Sequence, residues 1–208
     1  MKESRSIEFK EDITKSFLKT VSAYANYGNG TIFFGINDAG HIVGIGDAQK
    51  SALDIENMIN DSIKPVPEYS ISIEKETIVI SVEVFEGRFK PYYYRSKVYK
   101  RNDTATIEVD RTELNRLILE GENLSYDELE SDEQDLTFNY LEGKMQDILN
   151  IDKLNQDSLR TIGLIGADGK YCNAGKLLAD NNGSSGIDCA RFGETIDIIL
   201  DRELMAGE

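Results

Sequence analysis

The sequence predicts an α/β fold, more strictly α+β: a mixed β-sheet flanked by helices, followed by a second, smaller α+β segment. Three observations lead there. Short apolar runs of strand character alternate with amphipathic stretches of helical period through residue 120. Thr31-Ile32-Phe33-Phe34-Gly35-Ile36 is almost continuously apolar, as a strand buried on both faces should be. The charge balance then changes: residues 1–120 hold 16 Lys and Arg against 19 Asp and Glu, whereas residues 121–208 hold 7 against 19.

Taken in order, Ile7–Lys10 reads as a short extended segment. Asp12 is a candidate N-cap for a helix carrying Ile13, Phe17, Val21 and Tyr24 at helical spacing to about Asn26. Gly28-Asn29-Gly30 ends that helix and the central strand follows. Asn37-Asp38-Ala39-Gly40 is turn chemistry, so His41–Gly44 should return as the second arm of a hairpin. A helix is expected over Asp47–Ile63, stopped by Pro65 and Pro67. Strands follow at Tyr69–Ile73, Thr77–Val84 and 97–101, and Asp110 should cap a helix bearing Leu114, Leu117 and Ile118. Residues 121–135 read as a solvated acidic linker. Beyond it, Thr137–Leu149 and Lys153–Ile162 look helical, Ala167-Asp168-Gly169 is a turn, Asn181–Gly186 a flexible loop, and Ile187–Phe192 and Ile196–Leu200 strands. The domains expected are therefore 1–120 and 136–208.

Composition excludes several classes. No stretch approaches the roughly 18 apolar residues of a membrane span, and Met1-Lys2-Glu3-Ser4-Arg5 lacks the apolar core of a secretory signal, so a cytoplasmic protein without a membrane partner is expected. Cys172 and Cys189 stand far apart, and with His41 the one histidine they cannot supply the roughly four ligands of a zinc site; His41 reads as a hairpin-strand residue, so triad hydrolase chemistry is not expected. The net charge of −15 argues against nucleic acid until it is divided: the first 120 residues carry −3 and the rest −12. The acidic half could serve as a regulatory or dimerisation element, so a homodimer is possible.

Within the nearly neutral half, Gly87–Arg101 contains Arg88, Lys90, Arg95, Lys97, Lys100 and Arg101, no acid, and five interleaved aromatics. Such cations, with Lys10, could neutralise backbone phosphates, while Tyr92, Tyr94 and Tyr99 could stack on bases. The competing reading is an edge strand guarded by Lys, with tyrosines filling the core. Near residue 170, Gly169 to Gly175 superficially suggests a phosphate loop. It has five intervening residues where four are needed, and Leu177 where Ser or Thr must bind Mg²⁺.

Glu8-Phe9-Lys10, a helix ending Ala25-Asn26, Gly30-Thr31 leading to Gly35-Ile36-Asn37-Asp38-Ala39-Gly40, then Pro91-Tyr92-Tyr93 and Tyr99-Lys100-Arg101 occur in one order. In that order the chain resembles the Alba-like Schlafen domain, once labelled a divergent AAA domain, over roughly residues 3–117. Its second half, with Leu159–Ile165, Asn173-Ala174-Gly175 and Cys189-Ala190-Arg191-Phe192, resembles the segment that follows this domain in bacterial RecG-related transcriptional regulators. Those proteins continue into an ATPase region; this chain reads as the N-terminal part of such a protein, and ATP is not expected to bind it. Two departures stand out. Asn29 replaces a glycine, and Asp103-Thr104-Ala105-Thr106 replaces a Gly-Ser-Ser-Thr turn, putting a carboxylate where a phosphate might approach.

The resemblance implies a nucleic-acid-binding module, of DNA or RNA, in a bacterial transcriptional regulator. It also implies an alternative: some Schlafen proteins cleave structured RNA with metal-bound carboxylates, which carry over here to Glu3, Glu8 and Asp38, with Lys10 alongside. Mg²⁺ or Mn²⁺ would then activate water against a phosphodiester. In a third reading the chain is a protein-interaction or sensor module whose acidic half is the partner surface.

Overall fold

The structure, a computed structural model, describes residues 2–150, 152–183, 187–193, 195 and 198–205. It forms two compact units, Met1–Asn123 and Leu124–Glu208.

The first unit runs β1 (Ile7–Lys10), α1 (Phe17–Tyr27), β2 (Gly30–Phe34), α2 (Ala48–Ser62), β3 (Ile63–Lys64), β4 (Tyr69–Glu74), β5 (Val79–Val84), β6 (Tyr93–Tyr94), β7 (Tyr99–Asn102), β8 (Ala105–Glu108) and α3 (Arg111–Gly121). A four-stranded sheet has the order β1-β2-β5-β4, with β1 parallel to β2 and the other pairs antiparallel. The mixed sheet follows from the connections: α1 carries the chain between parallel neighbours, whereas a short turn joins β4 to β5. Strand alternation divides the sheet's faces. Ile32, Phe34, Ile80, Val82 and Val84 join Phe17, Leu18, Val21, Ile55 and Ile59 in the main core, while Phe9, Phe33, Ile36 and Val79 form a smaller cluster. Each fully buried Phe or Ile stabilises the fold by about 1.5–3 kcal/mol.

Buried polar groups fix the end of α1. The Asn26 side-chain amide donates to the Ser22 and Tyr92 carbonyls at 2.7 and 2.9 Å, and its Oδ1 accepts from the Tyr92 N–H at 2.8 Å. The Tyr24 ring lies over Gly30, where a Cβ would sit 2.4 Å from ring carbons. The Ala-Asn and Gly-Thr landmarks of the sequence thus join α1, β2 and the Tyr92 segment.

Several boundaries differ from the sequence expectation. Asp12 does not cap α1, which starts at Phe17 after Ser16. Ile13 packs against the core from the preceding turn segment, so an apolar residue in helical register lies outside the helix. The second arm of the expected hairpin reduces to one bridge, Ile36 with Ile42, because the Gly35 carbonyl takes the Val43 and Gly44 N–H groups. Asp47 and Asp110 do cap α2 and α3, accepting from the Lys50 and Glu113 N–H groups. The turn expected near Asp103 is tighter than its composition suggested: β7 and β8 pair directly through Asn102 and Ala105, and Asp103 takes φ +56°.

The second unit contains a 3-10 turn (Tyr126–Glu128), α4 (Asn139–Leu149), α5 (Gln156–Thr161), α6 (Asn173–Leu178), and an antiparallel hairpin of β9 (Ile187–Phe192) and β10 (Ile199–Met205). Leu136, Phe138, Leu154, Leu159, Leu164, Ile165 and Ala179 make its core. The acidic run is not a free linker from Leu124 onward. Glu130 bridges Cys172, Ser131 is buried, and its N–H donates to the Tyr171 carbonyl, because the segment leads the apolar residues Leu136 and Phe138 into the core. In the loop expected at Asn181–Gly186, residues 184–186 lie outside the described residues, as do 196–197 of the strand expected at Ile196–Leu200. No helix among the described residues is long and apolar enough to cross a membrane.

Phe138, at the N-cap position of α4, offers no side-chain acceptor, and Asp180 supplies one from a distant part of the chain. Its carboxylate accepts from the Asn139 and Tyr140 N–H groups, both at 2.8 Å. Desolvation would raise the Asp180 pKa, but these hydrogen bonds outweigh it and hold the carboxyl below its usual range. Its contribution to stability is therefore present at neutral pH and is lost as pH falls through the carboxylate range. We expect Asp180→Ala to destabilise the second unit by about 1 kcal/mol in urea unfolding at pH 7, with the difference vanishing in acid.

Candidate nucleic-acid interface

The alternation of β1 places Glu8 and Lys10 on the helix-facing side of the sheet, opposite to Phe9. Glu8 is buried between two cations: its Oε1 lies 2.5 Å from Lys10 Nζ, and its Oε2 lies 2.5 Å from Nη1 of Arg101 on β7. Arg101 is 6% exposed; Nη1 also donates to Thr106 Oγ1 at 2.8 Å and Nη2 to the Ser4 carbonyl at 3.2 Å. Its guanidinium stands 5.9 Å from the centre of the Tyr24 ring. Burial above all, together with the Glu8 and Glu3 charges and against the opposing Arg101 charge, pushes the Tyr24 phenol well above its ordinary pKa.

The basic-aromatic run therefore divides by face. Tyr92, Tyr94 and Tyr99 belong to the main core, so the stacking role expected of them is corrected: their faces are spent on packing. Lys90 is enclosed between Glu86 and Glu120, at 2.5 and 2.6 Å. Burial alone would lower its pKa, but the two carboxylates outweigh this and raise it. Lys90 and Lys10 are thus structural cations rather than free phosphate ligands, whereas Arg101 is held through Nη1 and Nη2 while its Nε has no acceptor among the described residues. Lys97 pairs with Glu108 at the surface, and Lys100 pairs with Glu113 in a half-buried contact. Arg88 and Arg95 are exposed and have no acidic partner among the described residues; Arg95 lies over the Tyr94 ring at 5.3 Å.

Beside the β7–β8 hairpin is a polar cleft of about 340 Å³ lined by Arg5, Tyr27, Lys100, Arg101, Asp103 and Glu113, with Asn102 and Ile107. Arg5 is exposed and has no acidic partner among the described residues. Two buried donors of this lining, the Tyr27 hydroxyl and Arg101 Nε, have no acceptor among the described residues. Unsatisfied buried donors are uncommon, and an ordered water or a bound acceptor is their usual partner. Burial first, then the Glu113 charge, pushes the Tyr27 phenol up to about 12, with Arg116 opposing. Arg5, Tyr27 and Glu113 carry no periodic or compositional signal that would have brought them to attention; they meet through tertiary folding.

The three carboxylates expected to hold a metal do not converge. Glu3 accepts from the Phe9 N–H at 2.8 Å, Glu8 is taken up by Lys10 and Arg101, and Asp38 is exposed in the turn after β2. No group of three His, Cys, Asp or Glu among the described residues is placed to hold a metal ion. These residues do not fit a Mg²⁺ or Mn²⁺ centre as they stand.

A mixed α+β domain with a cationic cleft beside a buried ion pair is the class defined so far. The Schlafen, AlbA_2 family model matches residues 3–110, and the chain belongs to that family. No curated protein matches it. Among solved structures it is similar to a Corynebacterium diphtheriae protein (19% identity, TM-score 0.43), covering 98% of this chain and 40% of that one. It is also similar to the N-terminal domain of a Nitrosomonas europaea protein named for its relation to the ATP-dependent DNA helicase RecG. There the identity is 26% and the TM-score 0.38, over 53% of this chain and 83% of that one. This chain thus spans less than half the length of the Corynebacterium protein.

We expect Glu8→Gln to leave Arg101 buried without a counter-charge and to cost about 3–5 kcal/mol of stability in denaturant unfolding. Pairing it with Arg101→Met should recover most of that loss. For Tyr27, the folded-state pKa lies above the unfolded one, so its stabilising effect is complete below pH 10 and disappears as pH rises from 10 to about 12. Stability measured across that range should fall less steeply in Tyr27→Phe than in the wild type.

Proposed function

We propose that the first unit is a nucleic-acid-binding module that holds backbone phosphate at the cleft of Arg5, Lys100 and Arg101, with Arg88, Arg95 and Lys97 as outlying contacts. The observation that carries this reading is the cleft itself, where an arginine with no acidic partner among the described residues meets two buried donors that find no acceptor among them. A phosphate oxygen supplies acceptors and the negative charge that Arg5 lacks. Membership of the Schlafen, AlbA_2 family supports the same reading. Recognition then proceeds through the backbone and local shape rather than through stacking on Tyr92, Tyr94 and Tyr99, since these three are committed to the core.

Net charge does not oppose this. The acidity is concentrated after residue 120, and phosphate binding depends on the local field rather than on the whole-chain sum. The surface pair Lys97–Glu108 is weakly held and can open to a stronger anion. The resemblance of the second half to the segment that follows this domain in bacterial RecG-related transcriptional regulators supports a regulatory role for this module.

The test is fluorescence anisotropy with labelled single-stranded RNA, single-stranded DNA and duplex DNA across a salt series. With about three phosphates neutralised, log K should fall against log salt with a slope between roughly −2 and −3. Arg5→Ala and Lys100→Gln should each weaken binding about tenfold and reduce the slope by nearly one, while Arg160→Ala in the second unit leaves it unchanged. Binding that ignores both cleft substitutions, or that does not weaken with salt, contradicts the proposal.

A further inference from the structure

The second unit carries a groove of about 800 Å³ that the nucleic-acid reading does not use. It lies between the 3-10 turn at Tyr126–Glu128 and α6, and its apolar lining is Tyr126, Leu129, Ala174, Leu177 and Leu178. Its origin is readable in α6. Gly175 is buried so tightly that a Cβ there would lie 2.7 Å from the Leu164 carbonyl oxygen, which seats that side of the helix on the core. Ala174, Leu177 and Leu178 recur at i, i+3 and i+4, so they share a neighbouring face. Leu177 and Leu178 remain 43% and 40% exposed, and Tyr126 is 72% exposed. Exposed aliphatic and aromatic side chains gathered in one concave site are what a partner's apolar residues bury against.

Charge selects the occupant. Asp127, Glu130 and Asp132 lie in the same lining, and Glu128 and Glu133 stand beside them in sequence. The local cations are Lys170, paired with Glu130, and Lys176, paired with Asp132 and 3.8 Å from Glu133. Two ammonium groups thus stand beside three lining carboxylates and two more adjacent in sequence, within a half of the chain that carries −12. Nucleic acid is repelled from such a surface, and so is a second copy of a chain whose net charge is −15.

We propose that this groove docks a cationic amphipathic segment of a partner protein. The segment's apolar residues settle against Tyr126, Leu177 and Leu178, and its Lys or Arg residues meet Asp127, Glu130 and Asp132. This is an interaction surface separate from the phosphate cleft and independent of it.

The test uses the full chain and three fluorescein-labelled peptides: an amphipathic Leu/Lys helix, a Leu/Lys peptide of the same composition with scrambled order, and an amphipathic Leu/Glu helix. The Leu/Lys helix should bind and weaken with salt. It should lose about tenfold in affinity in Leu177→Ser and again in the double variant Asp127→Asn, Glu130→Gln. The scrambled and Leu/Glu peptides should bind at least tenfold more weakly. Leu177 is half exposed, so its variant should keep the wild-type melting temperature; if it does not, the charge variant alone decides. Equal binding of the scrambled peptide, or indifference to either variant, reduces the attraction to diffuse charge and overturns the proposal. Equal binding of the Leu/Glu helix overturns it too, and a concentration-dependent dimer abolished by Leu177→Ser would make the occupant a second copy instead.

Discussion

Glu8 and Arg101 are 93 residues apart in the chain and meet as a buried ion pair. Each ion loses several kcal/mol of hydration on burial, and the mutual attraction offsets this only when the remaining polar atoms are also held. Here they largely are: Lys10 takes the other Glu8 oxygen, and Thr106 and the Ser4 carbonyl take the guanidinium. The pair therefore dictates position more than it adds stability. It fixes the β7–β8 hairpin beside β1, and through that constraint Arg5, Lys100 and Tyr27 come to line one cleft.

The same constraint explains why a run rich in Lys, Arg and Tyr is not uniformly a binding surface. An extended chain sends successive side chains to opposite faces. Tyr92 and Tyr94 point into the core, as do Tyr99 and Arg101, whereas Arg95 and Lys100 retain exposure. Lys90 escapes this rule in the bend before Tyr92 and is trapped between Glu86 and Glu120. A compositional reading averages the two faces, so it counted six cations and several stacking rings where the fold leaves fewer of each.

The sheet, its central strand and most helices were legible in the sequence because each is driven by local pattern: apolar alternation in β4 and β5, the Asp47 and Asp110 caps, and the apolar run of β2. β3, β6 and β8 were not, since the first two are only two residues long and β8 looks like a polar turn until paired with β7. Among the site residues, Lys100 and Arg101 were legible from the basic run. Their pairing with Glu113 and Glu8 was not, nor was the place of Arg5, because ion pairing between distant segments leaves no periodic trace. The carboxylates Glu3, Glu8 and Asp38 show the converse: side chains aligned by resemblance need not converge once the Phe9 N–H holds Glu3, Lys10 and Arg101 hold Glu8, and Asp38 stands exposed in its turn.

On the proposed reading, the Arg5–Lys100–Arg101 cleft contacts phosphate while Tyr92, Tyr94 and Tyr99 do not contact bases. An NMR titration of the full chain with a short oligonucleotide tests this directly. The guanidinium resonances of Arg5 and Arg101 and the amides of β7 and β8 should shift, most strongly at low salt, while the ring signals of Tyr92, Tyr94 and Tyr99 stay in place. Shifts centred on those tyrosine rings, with the cleft undisturbed, would contradict it.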